Sequence, residues 1–313
     1  MPGLELQPFS EEHLDEAARL LRERHRRHRE AAPLLTEPAD YVAEVASVLA
    51  GDKASGVVGI RDGRIVGYVL GIEKSDAIWG PNVWVDPSAH AAEEAEDIRD
   101  LYAAAASQWL DEGRPRHYVV VPASDRALLD AWSRLSFGQQ QALGITEVPE
   151  ASMPEGVRHA AASDIDALVE LGPILPDHQS LSPVFSGGPR ETEEELRREI
   201  AEDLGNPEIG TLVAEADGRV VGSFVIVPTS MSSMHAGVAR VEGAALLGWA
   251  ATRPDVRGSG AGLALMEATF AWAREHGYET MVTDWRVTNL LSSRFWPRRG
   301  FRETFLRLYR SIP

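Results

Sequence analysis

The residues best suited to chemistry in this chain are Arg257-Gly258-Ser259-Gly260-Ala261-Gly262. They follow the apolar run Leu247 to Thr252, with Pro254 between, and precede a helix-forming stretch from Leu263 to His276. Gly258, Gly260 and Gly262 let main-chain N–H groups approach a ligand with no Cβ in the way. A helix that starts there offers unpaired N–H donors and the positive end of its dipole, which suits a phosphate. Arg257 adds a fixed positive charge. The stretch reads as a pyrophosphate cradle.

The glycine spacing narrows the kind of cradle. A dinucleotide loop needs Gly-x-Gly-x-x-Gly after a strand. Counting from Gly258 puts Leu263 at the last position, and counting from Gly260 puts Leu265 there. Neither can serve as the third glycine, although Asp284 stands at a suitable distance downstream for a ribose-binding acid. A nucleotide-triphosphate loop is excluded because no Gly-Lys-Ser/Thr occurs.

The elements around the cradle read as a mixed α/β chain. A strand over Leu4–Phe9 leads to a helix capped by Ser10, and a second helix covers Tyr41–Leu49. Strands Gly56–Arg61 and Arg64–Ile72 are joined at Asp62-Gly63, a hairpin signal. A strand ending near Val85, a helix from about Glu93 to Leu110, a strand over Tyr118–Val121, a helix over Leu128–Leu135 and a strand over Gln140–Val148 complete the first half. Residues 149–156 have the composition of a linker. The pattern then restarts: a strand over Val157–His159, a helix from Asp164, an acidic helix over Thr192–Leu204, and a hairpin turning at Asp217-Gly218. The cradle unit, a strand over Thr280–Asp284, a short helix over Leu290–Trp296 and a closing strand over Phe301–Tyr309 follow.

This is an internal repeat. Asp62-Gly63-Arg64-Ile65-Val66-Gly67 matches Asp217-Gly218-Arg219-Val220-Val221-Gly222. Gly113, Trp132 and Phe137 match Gly277, Trp296 and Phe301, each 164 residues on. Two copies of one domain are expected, at 1–148 and 157–313. Only the second carries the glycine loop. The first has Val85 to Glu94, with no glycine and with Glu93-Glu94 entering the helix. Carboxylates at a helix start repel a phosphate, so the first copy is expected to bind no phosphorylated cofactor.

Two motifs make the second copy specific. Arg257-x-x-Gly260-x-Gly262, after a strand ending in x-Pro254, resembles motif A of the GNAT family, the acetyl-CoA-dependent N-acetyltransferases. Asn289-x-x-Ser292-x-x-Phe295-Trp296-x-x-x-Gly300-Phe301 resembles that family's motif B. The resemblance covers 157–313, and 4–148 as a degenerate copy, in a tandem arrangement similar to that of mycothiol synthases and other two-domain members. It implies two tandem mixed-sheet acyl-CoA N-acyltransferase domains and transfer of an acetyl group from acetyl-CoA to a primary amine. It implies that main-chain groups near Gly248, Ala250 and Thr252 hold the pantetheine arm and thioester. It implies further that N–H groups of Arg257, Gly258, Ser259, Gly260, Ala261 and Gly262 hold the pyrophosphate, with Asn289 and Ser292 touching the cofactor from the other side. The family's sheet splays between the strands that here carry Ala250 and Asp284.

Amide formation needs a base for the ammonium, donors for the developing oxyanion and a departing thiolate. Glu242 is the first candidate base: on an unbulged strand it shares the parity of Gly248 and Ala250. Asp284 is the second, with a structural ion pair to Arg286 as its bland reading. Many members have a tyrosine acid four residues before the motif-B glycine, where this chain has Trp296. Indole N–H donates a hydrogen bond but is no acid at neutral pH. A thiol with a pKa near ~8.5 leaves tolerably as thiolate. Ser293 and Tyr309 are alternative proton donors. A non-catalytic acyl-CoA sensor or interaction protein is the alternative from another class.

The whole chain sets further bounds. Its 313 residues fit two domains, and 44% hydrophobic content supports packed cores. Cysteine is absent, which removes disulfides, thiolate metal sites and cysteine nucleophiles and fits a cytoplasmic protein. Neither a signal peptide nor a membrane span is expected. A net charge of −17 argues against a nucleic-acid partner and favours a small cationic amine. His25-Arg26-Arg27-His28 reads as a solvated helix face rather than a metal site, and no metal is expected. His178 and Phe185 lie in the loop Gly172–Arg190, where acceptors are lined in the family. His235 is expected in an exposed turn, and Trp249 and Trp272 in the core.

Overall fold

In the computed structural model, residues 4–75, 78–186, 188 and 190–313 are described. In chain order the elements are β1 (Glu5–Pro8), α1 (Leu14–Ala31), α2 (Tyr41–Leu49), β2 (Ser55–Arg61), β3 (Arg64–Gly71), β4 (Asn82–Val85), β5 (His90–Ala92), α3 (Asp97–Asp111), β6 (Arg116–Pro122), α4 (Arg126–Arg134) and β7 (Gly138–Glu147). Then come β8 (Val157–His159), α5 (Ile165–Leu171), α6 (Ile174–Ser180), α7 (Glu193–Gly205), β9 (Gly210–Ala216), β10 (Arg219–Pro228), β11 (Ala245–Thr252), α8 (Ala261–Glu275), β12 (Thr280–Arg286), α9 (Ser292–Phe295) and β13 (Arg302–Ser311). The mixed α/β class and the repeated order agree with the sequence. Residues 149–156 run without helix or strand.

The chain forms two compact units. The first holds residues 1–143, 234–241 and 303–313, and the second holds 144–233 and 242–302.

In the first unit, β1, β2, β3 and β5 form an antiparallel sheet in that order. A second group runs β4-β6-β13-β7, with β4 parallel to β6 and β13 antiparallel to it. The closing strand was expected to finish the second copy. Instead β13 lies in the first unit, with Leu308 opposite Val119 and Tyr309 opposite Tyr118. Phe305 and Leu306 of β13 are buried there. Strand exchange of this kind depends on long-range pairing, which local sequence pattern does not report.

The second unit has the strand order β12-β11-β10-β9-β8, with the last residues of β7 beside β12. Both expected hairpins form. Asp62-Gly63 and Asp217-Gly218 all have positive φ (53°, 71°, 52° and 74°), the two-residue turn that suits the twist of paired strands.

Several expectations are corrected. The helix expected from Glu93 begins at Asp97, because His90–Ala92 pair with β3 as a strand. The segment Gly172–Arg190 is not all loop, since α6 occupies part of it. The solvated-face reading of His25-Arg26-Arg27-His28 fails for half its members. Arg24, His25 and His28 are buried, while Arg26 and Arg27 are exposed. Ala17, Leu21, Arg24 and His28 fall on one helical stripe, so packing follows position rather than residue type. His235 is buried in the first unit. No group of His, Cys, Asp or Glu among the described residues could hold a metal, and none of the described helices is long and apolar enough to cross a membrane.

The first unit buries several neutral imidazoles. Burial pushes His28 down to about 3 and His117 to about 4, and lowers His25 and His90 as well. His117 shows why: Tyr102 Oη donates to its Nδ1 (2.7 Å) and its Nε2 donates to the Arg114 carbonyl (2.8 Å). A second ring proton would break the first bond. Because the folded pKa lies below the unfolded value near ~6.5, the unfolded chain binds more protons in the interval between. This stability is complete above about pH 6.5 and is lost as pH falls toward about 4. Urea midpoints measured from pH 7.5 to pH 4 are expected to fall. His117→Gln should be less stable at pH 7.5 but lose less between the two ends; an unchanged slope would contradict the assignment.

Candidate functional site

The site begins with the strands that should converge on the glycine loop. β11 and β12 are parallel, but their pairing covers only Ala245–Leu247 with Met281–Thr283. Thr283 Oγ1 closes the last rung by donating to the Leu247 carbonyl at 2.9 Å. Beyond it β11 continues to Thr252 and β12 to Arg286 without pairing to each other. The cause is visible on the other edge. Against β10, Leu247 faces Ile226 and Trp249 faces Val225, so Gly248 is the extra residue of a bulge. A bulge bends its strand and increases the local twist. Gly248 is exposed, and Trp249, Ala250 and Thr252 are partly buried. Trp249 packs on the Leu168/Leu171/Val213/Val220 cluster and Trp272 is in the core.

The loop at the end of β11 takes the expected form. Residues 254–256 make one tight turn, and Arg257, Gly258 and Ser259 are exposed. Gly258 has φ +87° and Gly260 has φ +104°, so both need glycine for conformation. Gly260 caps α8, and its carbonyl accepts from Leu263 (2.9 Å) and Ala264 (3.0 Å). The N–H groups of Ala261 and Gly262 stand in the first turn with no intrahelical acceptor. Gly262 is different, since its φ is not positive. A Cβ there would meet Phe295 at 3.8 Å and Thr252 at 3.9 Å, which is ordinary contact. The fold itself gives no reason for a glycine at 262.

Asn289 is buried at the start of α9. Its Oδ1 accepts from Leu291 N (3.1 Å), Ser292 N (3.4 Å) and His178 Nε2 (3.1 Å). It caps the helix and is tied to α6, a role the sequence reading did not give it. Ser292 Oγ donates to the Asn289 carbonyl at 3.5 Å. Ser293 is partly buried in α9, its N–H on the same carbonyl at 2.9 Å. Trp296 is buried against Phe224, Phe295 and Phe301, which is a packing position. Phe185 is 75% exposed.

The proposed proton-moving residues are not brought together. Asp284 is partly buried on β12, one residue past the last pair with β11. Glu242 is exposed in a turn with Gly243 (φ +71°), ahead of β11. Its expected strand parity therefore does not hold, because alternation ends where the turn begins. Tyr309 belongs to the first unit, where its ring lies 4.9 Å from that of Tyr118.

The first copy shows what a closed version looks like. Elements correspond at the offset of 164: α3 with α8, β6 with β12, and β7 with β13. At that offset Glu93, Glu94 and Glu96 stand where Arg257, Gly258 and Gly260 stand, and the helix cap Glu96 has φ −65°. Arg19 and Arg64 pair with Glu93, and Arg61 with Asp97. β4 pairs with β6 as far as Val85 and Val119, after which His90 Nε2 donates to the Val120 carbonyl at 2.9 Å. The buried Arg24 donates to the carbonyls of Pro87 and His90. Side chains fill the place that stays open between β11 and β12.

Comparison with known proteins points to one fold. The model of the acetyltransferase (GNAT) family matches residues 177–301. No curated protein sequence matches the chain. Among solved structures, the chain is similar to a GCN5-related N-acetyltransferase from Sphaerobacter thermophilus, with 16% identity and TM-score 0.62, over 99% of this chain and 96% of that one. It is also similar to a tandem GNAT protein from the clavulanic acid biosynthesis pathway, with 13% identity and TM-score 0.52, over 99% and 98%. A glucosamine N-acetyltransferase region of a fungal multi-domain beta-N-acetylglucosaminidase gives 13% identity and TM-score 0.57, over 98% of this chain and 38% of that one. At such identities the likeness is one of fold, and the fold is the tandem one.

The glycines make opposite predictions. Gly260→Ala should lose about 1–2 kcal/mol through left-handed strain, whereas Gly262→Ala should gain about 0.5–1 kcal/mol of helix propensity. Urea unfolding of the two variants checks the sign; equal effects would refute the distinction.

Proposed function

We propose, from the match of the acetyltransferase (GNAT) family model to residues 177–301, that this protein moves an acetyl group from acetyl-CoA to a primary amine of a small cationic acceptor. The family moves acyl groups from acyl-CoA to amines; acetyl as the group, direct transfer and the acceptor class are our reading. The copy at 157–313 would carry the site, with 149–156 as linker and 1–148 as the degenerate copy. One observation carries this: β11 and β12 part after Leu247 and Thr283, and the gap ends beside the free N–H groups that open α8.

In this reading the main chain at Gly248, Ala250 and Thr252 pairs with the pantetheine arm, as an added strand would. The N–H groups of Arg257, Gly258, Ser259, Gly260, Ala261 and Gly262 hold the pyrophosphate, with the Arg257 guanidinium beside them. Asn289 and Ser292 form the opposite lip. The amine attacks the thioester carbon while a main-chain N–H at the Gly248 bulge holds the developing oxyanion. Collapse expels the thiolate, which needs little protonation to leave. Glu242, in its exposed turn, would take the ammonium proton through water. Ser293 is retained as a proton donor to the thiolate. Tyr309 is proposed no further, since it packs in the first unit. The charge of −17 favours a cationic small molecule, and a cytoplasmic location fits the absence of cysteine. A non-catalytic acyl-CoA sensor is the second reading, favoured by the buried Trp296 where many members have an acid.

Calorimetry with CoA and thiol release with acetyl-CoA over a panel of polyamines, amino sugars and aminoglycosides separate these readings. Gly260→Glu should abolish CoA binding with the fold intact, and Gly262→Val should weaken it about tenfold or more. Unchanged affinity in both would refute the cradle. CoA binding without thiol release on any amine would support the sensor. If Glu242 is the base, Glu242→Gln should remove the acidic limb of the kcat/KM pH profile; a profile like that of the parent would exclude it.

A further inference from the structure

The first unit has a cleft that the reaction above does not use. It measures about 270 Å³ and lies between α1 and the turn from β6 into α4. Arg24 and His28 form its buried wall, and Arg27, Ser124, Asp125 and Arg126 its rim. In a chain of net charge −17 the lining carries three guanidinium groups against one carboxylate. That carboxylate, Asp125, caps α4 by accepting from Leu128 N at 3.0 Å and partly offsets the charge of Arg24, which leaves a net positive lining. The rim charges are available. Arg27 has one exposed pairing with Glu23 at 3.3 Å, and Arg126 has no ion pair among the described residues.

The wall supplies a second, independent feature. Arg24 and His28 are each only 3% exposed. Arg24 spends its two terminal nitrogens on the carbonyls of His90 and Pro87, which leaves its Nε without a partner. Neither ring nitrogen of His28 makes a hydrogen bond of good geometry, and the backbone of Thr304 is the one polar neighbour that favours its charged form. Buried polar atoms without partners are costly, and a buried guanidinium more so. An oxyanion in the cleft would accept from these groups and from the rim together.

The repeat gives the cleft its setting. Asp125 stands 164 residues before Asn289 and caps its helix in the same way. Where the second copy keeps an open gap and a glycine loop, the first has closed the gap with His90 and Arg24 and placed acids at the start of α3. The cleft beside them is too small for a nucleotide carrier but suits a small anion.

We propose that this cleft binds a small molecule through an oxyanion group, a carboxylate or a phosphate, held by Arg24, His28, Arg27 and Arg126. It is a second ligand site on the chain, of opposite charge preference to the proposed amine site. Burial holds His28 neutral, with a pKa near 3, so the ring offers one N–H donor to the anion at neutral pH.

The test uses the full chain carrying Gly260→Glu, so that the glycine loop does not report. Inorganic phosphate and, separately, succinate are titrated while the His28 ring signals are followed by NMR. A saturable shift with half-saturation below about 10 mM is expected for at least one of them. A response to phosphate alone marks a phosphate ligand, and a response to succinate alone marks a carboxylate. The exposed pair Arg27→Glu and Arg126→Glu, together, should weaken the response about tenfold or more with the unfolding midpoint little changed. No saturable shift with either probe up to about 50 mM overturns the proposal, and so does a response that the double variant leaves intact.

Discussion

Everything proposed for the second unit depends on one break in a β-ladder. Parallel strands normally continue to pair as far as both are extended, because unpaired main-chain groups away from water are costly. β11 and β12 stop at Leu247 and Thr283 although both run on. The extra residue at Gly248 is taken up on the β10 side, which turns the remainder of β11 away. What results is a strand edge that β12 leaves unpaired, exposed at Gly248 and partly buried at Trp249, Ala250 and Thr252. An edge of that kind is a template for an extended, amide-bearing ligand. The glycine loop follows directly from β11, so the helix dipole points at the end of the same opening.

The first unit shows the same place closed by side chains. There the corresponding strands also part, after Val85 and Val119, and the gap is filled from within. His90 reaches across to Val120, and Arg24 satisfies two carbonyls that would otherwise face a void. The electrostatics change in step. A loop of arginine and glycine has become a run of acids whose charges are met by Arg19, Arg61 and Arg64. One copy opens its helix with glycines and an arginine, the other with paired acids. The difference lies in a few residues on a shared scaffold.

How much of this was legible follows from the range of each interaction. The hairpins at Asp62-Gly63 and Asp217-Gly218 and the loop at Gly258 and Gly260 are local. Each needs positive φ, and glycine or aspartate reports that need directly. The repeat was legible because Trp132 and Trp296 close equivalent cores. The placement of β13 was not, since strand choice is decided by partners far along the chain. Glu242 was misplaced because a single turn at Gly243 ends the alternation from which its position was argued. His25 and His28 were misread by composition, although the stripe through Ala17, Leu21 and Arg24 pointed inward. The bulge at Gly248 left only a glycine as its trace, one among the chain's 27.

The same reasoning explains why the motif is so sparse. If main-chain groups hold the cofactor and the oxyanion, selection acts on backbone geometry, and few side chains are specified. Glycine is demanded at 258 and 260 by conformation, and at 262 it would be demanded by closeness to the proposed ligand. Most other positions need only maintain the bulge, the helix start and the cap at Asn289. Trp296 can then occupy a place where many members have an acid, since a thiolate leaves with little help and the indole repays its position by packing on Phe224 and Phe301. Catalytic identity in this chain would therefore lie in the shape of two strands more than in any one side chain. That is consistent with a fold retained at 13–16% identity to its structural neighbours.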